Sequence, residues 1–178
     1  MKLTDRIALS LLALLVPAAV AAQGSSPQVT VAPINTVVVT RGGKAALDIA
    51  LQVNRGFHVN SNKPNDELLL PTVVHLNPPQ GIMIVNVEYP EGQELALPFM
   101  GNQKLSVYSG NFAVSAEVRI PKSAPLGTQR VHGNVKYQAC DNRQCYPPRE
   151  VPVEFDVKVQ KPGKISHAQN PAQSPHVH

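Results

Sequence analysis

The chain has 178 residues and a formal net charge of +4, and 43% of its residues are hydrophobic although only 4% are aromatic. The positive excess is small and forms no dense basic cluster, so we do not expect nucleic-acid binding. Seventeen prolines argue against a helical bundle, because proline disrupts helix interiors. The length fits about one domain with a core of Val, Leu and Ile.

The first 22 residues are typical of a secretory signal peptide. Lys2 and Arg6 precede an apolar run over residues 7–20 that ends among small residues. This run is short for a membrane span and no later segment approaches that length, so we expect no span after cleavage. Export would place the protein in the bacterial periplasm or outside, where disulfides persist unless a dedicated reductant opens them.

From residue 29 onward, short β-branched runs alternate with Gly, Pro and Asn, as strands joined by turns do. In residues 113–120 and 151–159, apolar and polar residues alternate, so one face of each strand should be buried. Pro152 cannot donate to a ladder, which predicts an edge or a bulge at the start of its strand. The pattern predicts an all-β fold, an immunoglobulin-like antiparallel β-sandwich. Its predicted strands cover residues 29–34, 36–40, 45–53, 57–60, 72–76, 82–89, 105–108, 112–120, 128–137 and 151–159.

The last 18 residues, 161–178, are rich in Pro, Gln, Ser and His and have no periodic apolar pattern, which predicts a disordered tail. Three histidines of the tail could bind a metal weakly, although a solvated tail is the simpler interpretation: His167, His176 and His178. We therefore predict a signal peptide at 1–22, a β-sandwich domain at 23–160 and this tail.

Cys140 and Cys145 are the only cysteines, and they lie between two predicted strands. They can close a small disulfide ring if the four residues between them turn the chain back, and Asp141 and Asn142 favour such a turn. A crosslink over so few residues removes little unfolded-chain entropy, about 2 kcal/mol, so it stabilises a domain of this size weakly. The residue types alone leave both a redox-active pair and a plain structural disulfide open.

The segment 137–148, from Tyr-Gln-Ala-Cys to Cys-Tyr-Pro-Pro, resembles the active-site hairpin of the amino-terminal periplasmic domain of the thiol:disulfide interchange protein DsbD. The resemblance extends over residues 29–159. Residues 56–64 look like the family's Gly-aromatic-His segment, and residues 97–101 are similar to its cap loop. The resemblance implies that Cys140 and Cys145 are the reacting pair and that three aromatic residues shape the site, with Phe99 as the cap and Tyr137 and Tyr146 at the pocket.

His58 lies in the Gly-aromatic-His segment and is a further candidate pocket residue. A histidine near a thiol can take its proton and make the nucleophilic thiolate, although histidines packed against neighbouring strands are more common. We interpret His75 and His132 as ordinary strand residues. The enteric form of the family carries acidic residues before the cap phenylalanine, whereas this chain has Ala-Leu-Pro at 96–98. An acidic contribution to the thiol pKa is therefore not carried over.

The resemblance implies a thiol:disulfide oxidoreductase-like electron carrier of the periplasm. It would relay electrons between a membrane reductase or thioredoxin-like protein and periplasmic disulfide proteins, with Cys145 forming the intermolecular disulfide. The full-length family protein continues into a membrane domain and a thioredoxin-like domain, so we expect the electron source to be another polypeptide. No metal, nucleotide or flavin cofactor is implied, and we expect a monomer.

Two other functions fit the same residues. The first is an exported immunoglobulin-like module that binds a partner protein and whose disulfide only pins a hairpin, since sandwich folds host many functions. The second is a metal carrier, which would need its thiolates kept reduced in an oxidising compartment. A redox module should contain an accessible, readily reduced disulfide, whereas a structural disulfide should resist reduction.

Overall fold

A computed structural model describes residues 29–101 and 103–163 of the chain. A 3-10 helix spans Pro98–Met100. The predicted signal peptide and residues 164–178 of the predicted tail lie outside the described residues, and both stay predictions. The strands are β1 (Val29–Val31), β2 (Val37–Thr40), β3 (Lys44–Val53), β4 (His58–Asn60), β5 (Val73–Asn77), β6 (Met83–Glu88), β7 (Gln93–Ala96), β8 (Lys104–Tyr108), β9 (Asn111–Arg119), β10 (Gly127–Tyr137), β11 (Ala139–Cys140) and β12 (Arg149–Gln160).

Each predicted strand overlaps an observed one, and the structure adds two short strands, β7 and β11. The sequence of β7, Gln-Glu-Leu-Ala, has no β-branched residue and favours a helix. It is nevertheless a strand because it pairs with β8, where Leu95 lies opposite Leu105. β11 belongs to the cysteine hairpin, which the sequence predicts as a turn rather than as a strand.

Two four-stranded sheets, ordered β1-β3-β9-β6 and β2-β12-β10-β5, form the sandwich. Alternate side chains of both sheets, such as Ile49 and Val114 from one and Val131 and Val157 from the other, are buried in one common core. The predicted all-β sandwich is therefore confirmed. One pairing is not antiparallel, because β2 runs parallel to β12.

The prediction for Pro152 is confirmed. Along β12, the pairing with β10 covers the whole strand, whereas the pairing with β2 begins only at Val157. Pro152 therefore lies in a stretch of β12 that has a strand neighbour on one side only, where a missing backbone donor breaks no ladder.

A third sheet, ordered β11-β4-β8-β7, carries the cysteine hairpin. β4 follows a tight turn in which the Phe57 N–H donates to the Asn54 carbonyl at 3.1 Å. Gly56 in this turn has φ of +86°, a conformation that glycine adopts without steric penalty. The turn sets where β4 begins and thus which of its residues lie opposite β11.

Candidate functional site

Cys140 and Cys145 form a disulfide across a tight turn. The Asp141 N–H donates to the Gln144 carbonyl at 2.9 Å, and the Tyr146 N–H donates to the Ala139 carbonyl at 2.8 Å. The two cysteines face each other across an antiparallel bridge, which brings their Cα atoms to 3.9 Å. This distance is shorter than the usual range of roughly 4.4–6.8 Å for disulfides. The predicted turn is present.

The two sulfurs differ in their access to solvent. Cys140 is completely buried, with 0% of its surface exposed, whereas Cys145 is only partly buried. An external thiolate must approach a disulfide sulfur directly in order to attack it. Of the two cysteines, therefore, only Cys145 has surface exposed to solvent in this conformation.

The pairing of β4 with β11 and β8 shows which side chains of the third sheet share a face. Val59 lies opposite Ala139 on one side and Tyr108 on the other, and all three belong to the main core. Side chains alternate along a strand, so the next residues point the other way. Cys140, opposite His58, accordingly belongs to a separate apolar cluster.

This second cluster surrounds the buried sulfur with aliphatic side chains. Its three leucines and one valine could not be predicted as site residues from the sequence, because they come from three different segments: the β4–β5 loop, the β7–β8 loop and β8. Leu95 and Cys145 pack at its edge. Its buried members are Leu69, Leu97, Leu105, Val107 and Cys140.

The loop between β7 and β8 holds the predicted cap residue Phe99. Phe99 is 38% exposed on the 3-10 helix and is not a member of the second cluster, whereas Leu97 in the same loop is 1% exposed and is a member. Gly101 ends the helix with φ of +67°, and its N–H donates to the Pro98 carbonyl at 3.2 Å. The structure thus places Leu97 in the cluster and Phe99 at the surface, and the cap role of Phe99 stays a prediction.

The two predicted pocket tyrosines occupy different environments. Tyr137, at the end of β10, is buried in the main core. Tyr146 follows Cys145, packs edge-to-face on Phe57 with ring centroids 5.7 Å apart, and donates its hydroxyl hydrogen to the Asp141 carboxylate at 2.7 Å. Tyr146 is therefore the tyrosine that flanks the partly exposed sulfur.

Asp141 is held in place by three hydrogen bonds. Besides the Tyr146 hydroxyl, its carboxylate accepts the backbone N–H groups of Arg143 at 2.7 Å and of Gln144 at 2.9 Å. These donors, the tyrosine hydroxyl above all, lower the pKa of Asp141 below its ordinary value. The carboxylate of this turn residue thus places a negative charge next to the cysteine pair.

Gln138 links the hairpin to the loop between β4 and β5. Its Oε1 accepts hydrogen bonds from Asn60 Nδ2 at 3.2 Å and from the Leu70 N–H at 3.3 Å. Its Nε2 donates to the Tyr146 carbonyl at 3.4 Å. Asn60 Nδ2 also donates to the Leu70 carbonyl at 2.9 Å. The loop that carries Leu69 is thereby tied to the cysteine hairpin.

His58 is buried, with 4% of its surface exposed, and its Nε2 has no hydrogen-bond partner within residues 29–101 and 103–163. Burial lowers the pKa of His58 below its ordinary value, and the negative charge of Asp141 partly offsets this. His75 and His132 are exposed on their strands. His132 Nδ1 lies 3.2 Å from the Glu154 carboxylate.

The described residues contain neither a candidate metal site nor a membrane-spanning helix. No group of three or more His, Cys, Asp or Glu side chains among them is placed to hold a metal ion. No helix of residues 29–101 and 103–163 has the length and the apolar character needed to cross a membrane.

The chain is similar to known proteins in both sequence and structure. A family model described as "Thiol:disulfide interchange protein DsbD, N-terminal" matches residues 27–157. The N-terminal periplasmic domain of ScsB from Proteus mirabilis is similar with 12% identity and a TM-score of 0.47, over 72% of this chain and 44% of that one. The N-terminal domain of DsbD from Neisseria meningitidis, in its reduced form, is similar with 19% identity and a TM-score of 0.36. The similarity covers 66% of this chain and 80% of that one. No curated protein sequence matches significantly.

Proposed function

Because the chain belongs to the family of DsbD N-terminal domains, we propose that it is a periplasmic thiol–disulfide exchange module acting through Cys140 and Cys145. In this proposal, residues 23–160 form the module. It relays electrons between a membrane reductase or thioredoxin-like protein and periplasmic disulfide proteins. The exchange reaction can run in either direction, and the reduction potentials of the module and its partner decide which.

The unequal burial of the two cysteine residues is the observation that carries the proposal. A thiolate of the reducing partner attacks Cys145 Sγ, a bond forms between the two proteins, and the electron pair of the broken disulfide stays on Cys140 Sγ. A second thiol of the partner then attacks its own sulfur in the mixed disulfide and releases Cys145 as a thiolate. The partner leaves with a disulfide, and this module keeps two electrons.

The aromatic residues have separate roles in this proposal. Phe99, on its exposed loop, covers the approach to Cys145 and moves aside when the partner docks, which would exclude stray thiols. Tyr146 and Phe57 form a wall beside Cys145, and Tyr137 fixes the end of β10, from which the hairpin leaves. His58 lies on the inner side, opposite Cys140.

The proposal is tested by the reduction potential of the pair and by trapping. Equilibration of the purified protein in glutathione buffers should give a potential of about −120 to −270 mV, the range of known exchangers. Cys140→Ser should accumulate mixed disulfides through Cys145 in the periplasm, and Cys145→Ser should accumulate far fewer because Cys140 is buried. A potential well below about −300 mV, together with no adducts in either variant, would contradict the exchange function.

A protein-binding module with a structural disulfide is the alternative, and one observation favours it. Leu68 and Leu70, in the loop tied to the hairpin, are 90% and 41% exposed, and apolar side chains exposed close together are a feature of protein-binding surfaces. The two functions differ in the assay above, because a binding module would retain its partner when both cysteines are replaced by serine. An exchange module would lose all covalent adducts in that double variant.

A further inference from the structure

We propose that His58 Nε2 takes the proton of the Cys140 thiol when the reduced pair resolves a mixed disulfide, an inference that rests on the proposed exchange function. His58 is then a residue of the reaction itself and not only part of the pocket wall. In the pairing of β4 with β11, His58 is the direct partner of Cys140.

The strand register places the two side chains on one face. Directly opposite residues of an antiparallel pair have Cβ atoms about 4.5–5.5 Å apart and point to the same side of the sheet. The neighbouring pair, Val59 and Ala139, points into the main core, so His58 and Cys140 point to the opposite side. Both are buried there, at 4% and 0% exposure. The register therefore makes the His58 imidazole and the Cys140 sulfur neighbours on that face.

His58 Nε2 lacks a hydrogen-bond partner in the described part of the oxidised protein, and the thiol of reduced Cys140 would supply one. Buried polar atoms are almost always hydrogen-bonded, and His58 Nε2 is an exception in the described part of the chain. The disulfide sulfur of Cys140 carries no hydrogen, so it cannot donate to this nitrogen. When the disulfide opens, the Cys140 S–H becomes the donor that the nitrogen lacks.

The charges around His58 suit proton transfer in both directions. Burial lowers the pKa of His58, so the imidazole is neutral and has a free lone pair, although it is a weaker base than an exposed histidine. On the same face, the neighbouring β4 and β8 residues Asn60 and Val107 are uncharged. From the hairpin, the Asp141 carboxylate, which also accepts the Tyr146 hydroxyl, is the charged group that acts on His58. This negative charge favours the imidazolium while it exists.

The step balances as follows. In the mixed disulfide, Cys145 is bonded to the sulfur of the protein being reduced, and Cys140 is a thiol. The thiol proton moves to His58 Nε2 as Cys140 Sγ attacks Cys145 Sγ. The Cys140–Cys145 bond forms, the bond to the partner breaks, and the electron pair leaves on the partner's sulfur as a thiolate. The imidazolium then returns its proton to that thiolate or to water, and His58 is neither oxidised nor reduced.

Rapid mixing of the reduced protein with oxidised glutathione tests the inference. Acid quenching and mass spectrometry separate two steps: formation of the glutathione adduct at Cys145 and its resolution by Cys140. In His58→Gln, whose side chain accepts a hydrogen bond but no proton, we expect resolution at pH 7 to slow about 100-fold. Its rate should then rise about tenfold per pH unit, because only the free thiolate attacks. Adduct formation should be unchanged, and the exposed control His75→Gln should match the wild-type protein in both steps.

Three results would overturn the inference. If His58→Gln resolves the adduct with the rate and pH profile of the wild-type protein, His58 has no part in the reaction although the exchange function stands. If the wild-type protein forms no adduct and does not reoxidise, the exchange function fails, and the inference with it. Should His58→Gln not fold, 15N NMR of the wild-type imidazoles decides. The Nε2 resonance of His58 must shift between the oxidised and reduced proteins while that of His75 does not, and an unchanged Nε2 resonance refutes the inference.

Discussion

Replacement of Gln138 by alanine tests how the cysteine hairpin is fixed to the rest of the sheet. The side chain makes three hydrogen bonds, to Asn60, Leu70 and Tyr146, at 3.2–3.4 Å. These lengths lie at or beyond the long end of the N–H···O range, so each bond should contribute about 0.5 kcal/mol. Asn60 Nδ2 keeps its bond to the Leu70 carbonyl and is not left unpaired. The free energy of unfolding should therefore fall by about 1.5 kcal/mol in total.

Gln129 of β10 provides the matched control, since it is partly buried like Gln138 but its Nε2 has no hydrogen-bond partner in the described structure. Urea unfolding of the oxidised proteins should show a change below about 0.5 kcal/mol for Gln129→Ala. Gln138→Ala should also be reduced faster by dithiothreitol, because the loop that carries Leu69 is released. Equal destabilisation by the two substitutions would refute the reasoning, since it would mean that the hydrogen bonds of Gln138 contribute nothing.

Three further predictions concern the shell of the disulfide. Leu97→Ala should lower the free energy of unfolding by about 2–4 kcal/mol because its side chain is buried. Phe99→Ala should lower it by less than about 1 kcal/mol but should speed reduction of the disulfide by dithiothreitol. Urea unfolding that gives the reverse order of stability would contradict this prediction. Because the pKa of Asp141 is lowered in the folded state, its carboxylate stabilises the fold above about pH 4, and this contribution is lost as the pH falls through the folded-state pKa. The stability difference between the wild-type protein and Asp141→Asn should therefore shrink on acidification. A difference that does not change with pH would contradict this prediction. Because the pKa of His58 is lowered in the folded state, the histidine is protonated at a higher pH in the unfolded chain than in the folded protein. The free energy of unfolding should therefore decrease as the pH falls below about 6.5, and it should decrease less steeply in His58→Phe. Acid titration followed by circular dichroism measures both proteins.

The strands could be predicted from sequence because their signals are local. Alternation along residues 113–120 and 151–159 marks which residues of β9 and β12 are buried, and Val114, Val153 and Val157 lie in the core as expected. The effect of Pro152 and the turn at Asp141 depend on single residues and their neighbours, so they too could be predicted.

The environment of the disulfide could not be predicted in the same way. Leu69, Leu97 and Leu105 meet Cys140 through loops and pairings between distant segments, and no local pattern marks them as neighbours. β7 runs against its own helical propensity, because pairing with β8 outweighs intrinsic preferences of a few tenths of a kcal/mol per residue. The partnership of His58 with Cys140 likewise depends on a register that only the folded sheet defines.

That register also determines how the cysteine pair can react. Ala139 is buried in the main core beside Val59, and Cys140 is the next residue, so Cys140 cannot move outward unless Ala139 leaves the core. Cys145 follows the turn and is held by the bridge to Cys140 and by the hydrogen bond from Tyr146 to Ala139. Opening the disulfide therefore removes only the covalent link between the two sulfurs and leaves Cys140 buried next to Ala139. Oxidation of the reduced pair by a partner disulfide should then begin at Cys145 and end with an attack by the buried Cys140 sulfur, which is why the residue that faces Cys140 from β4 matters to its chemistry.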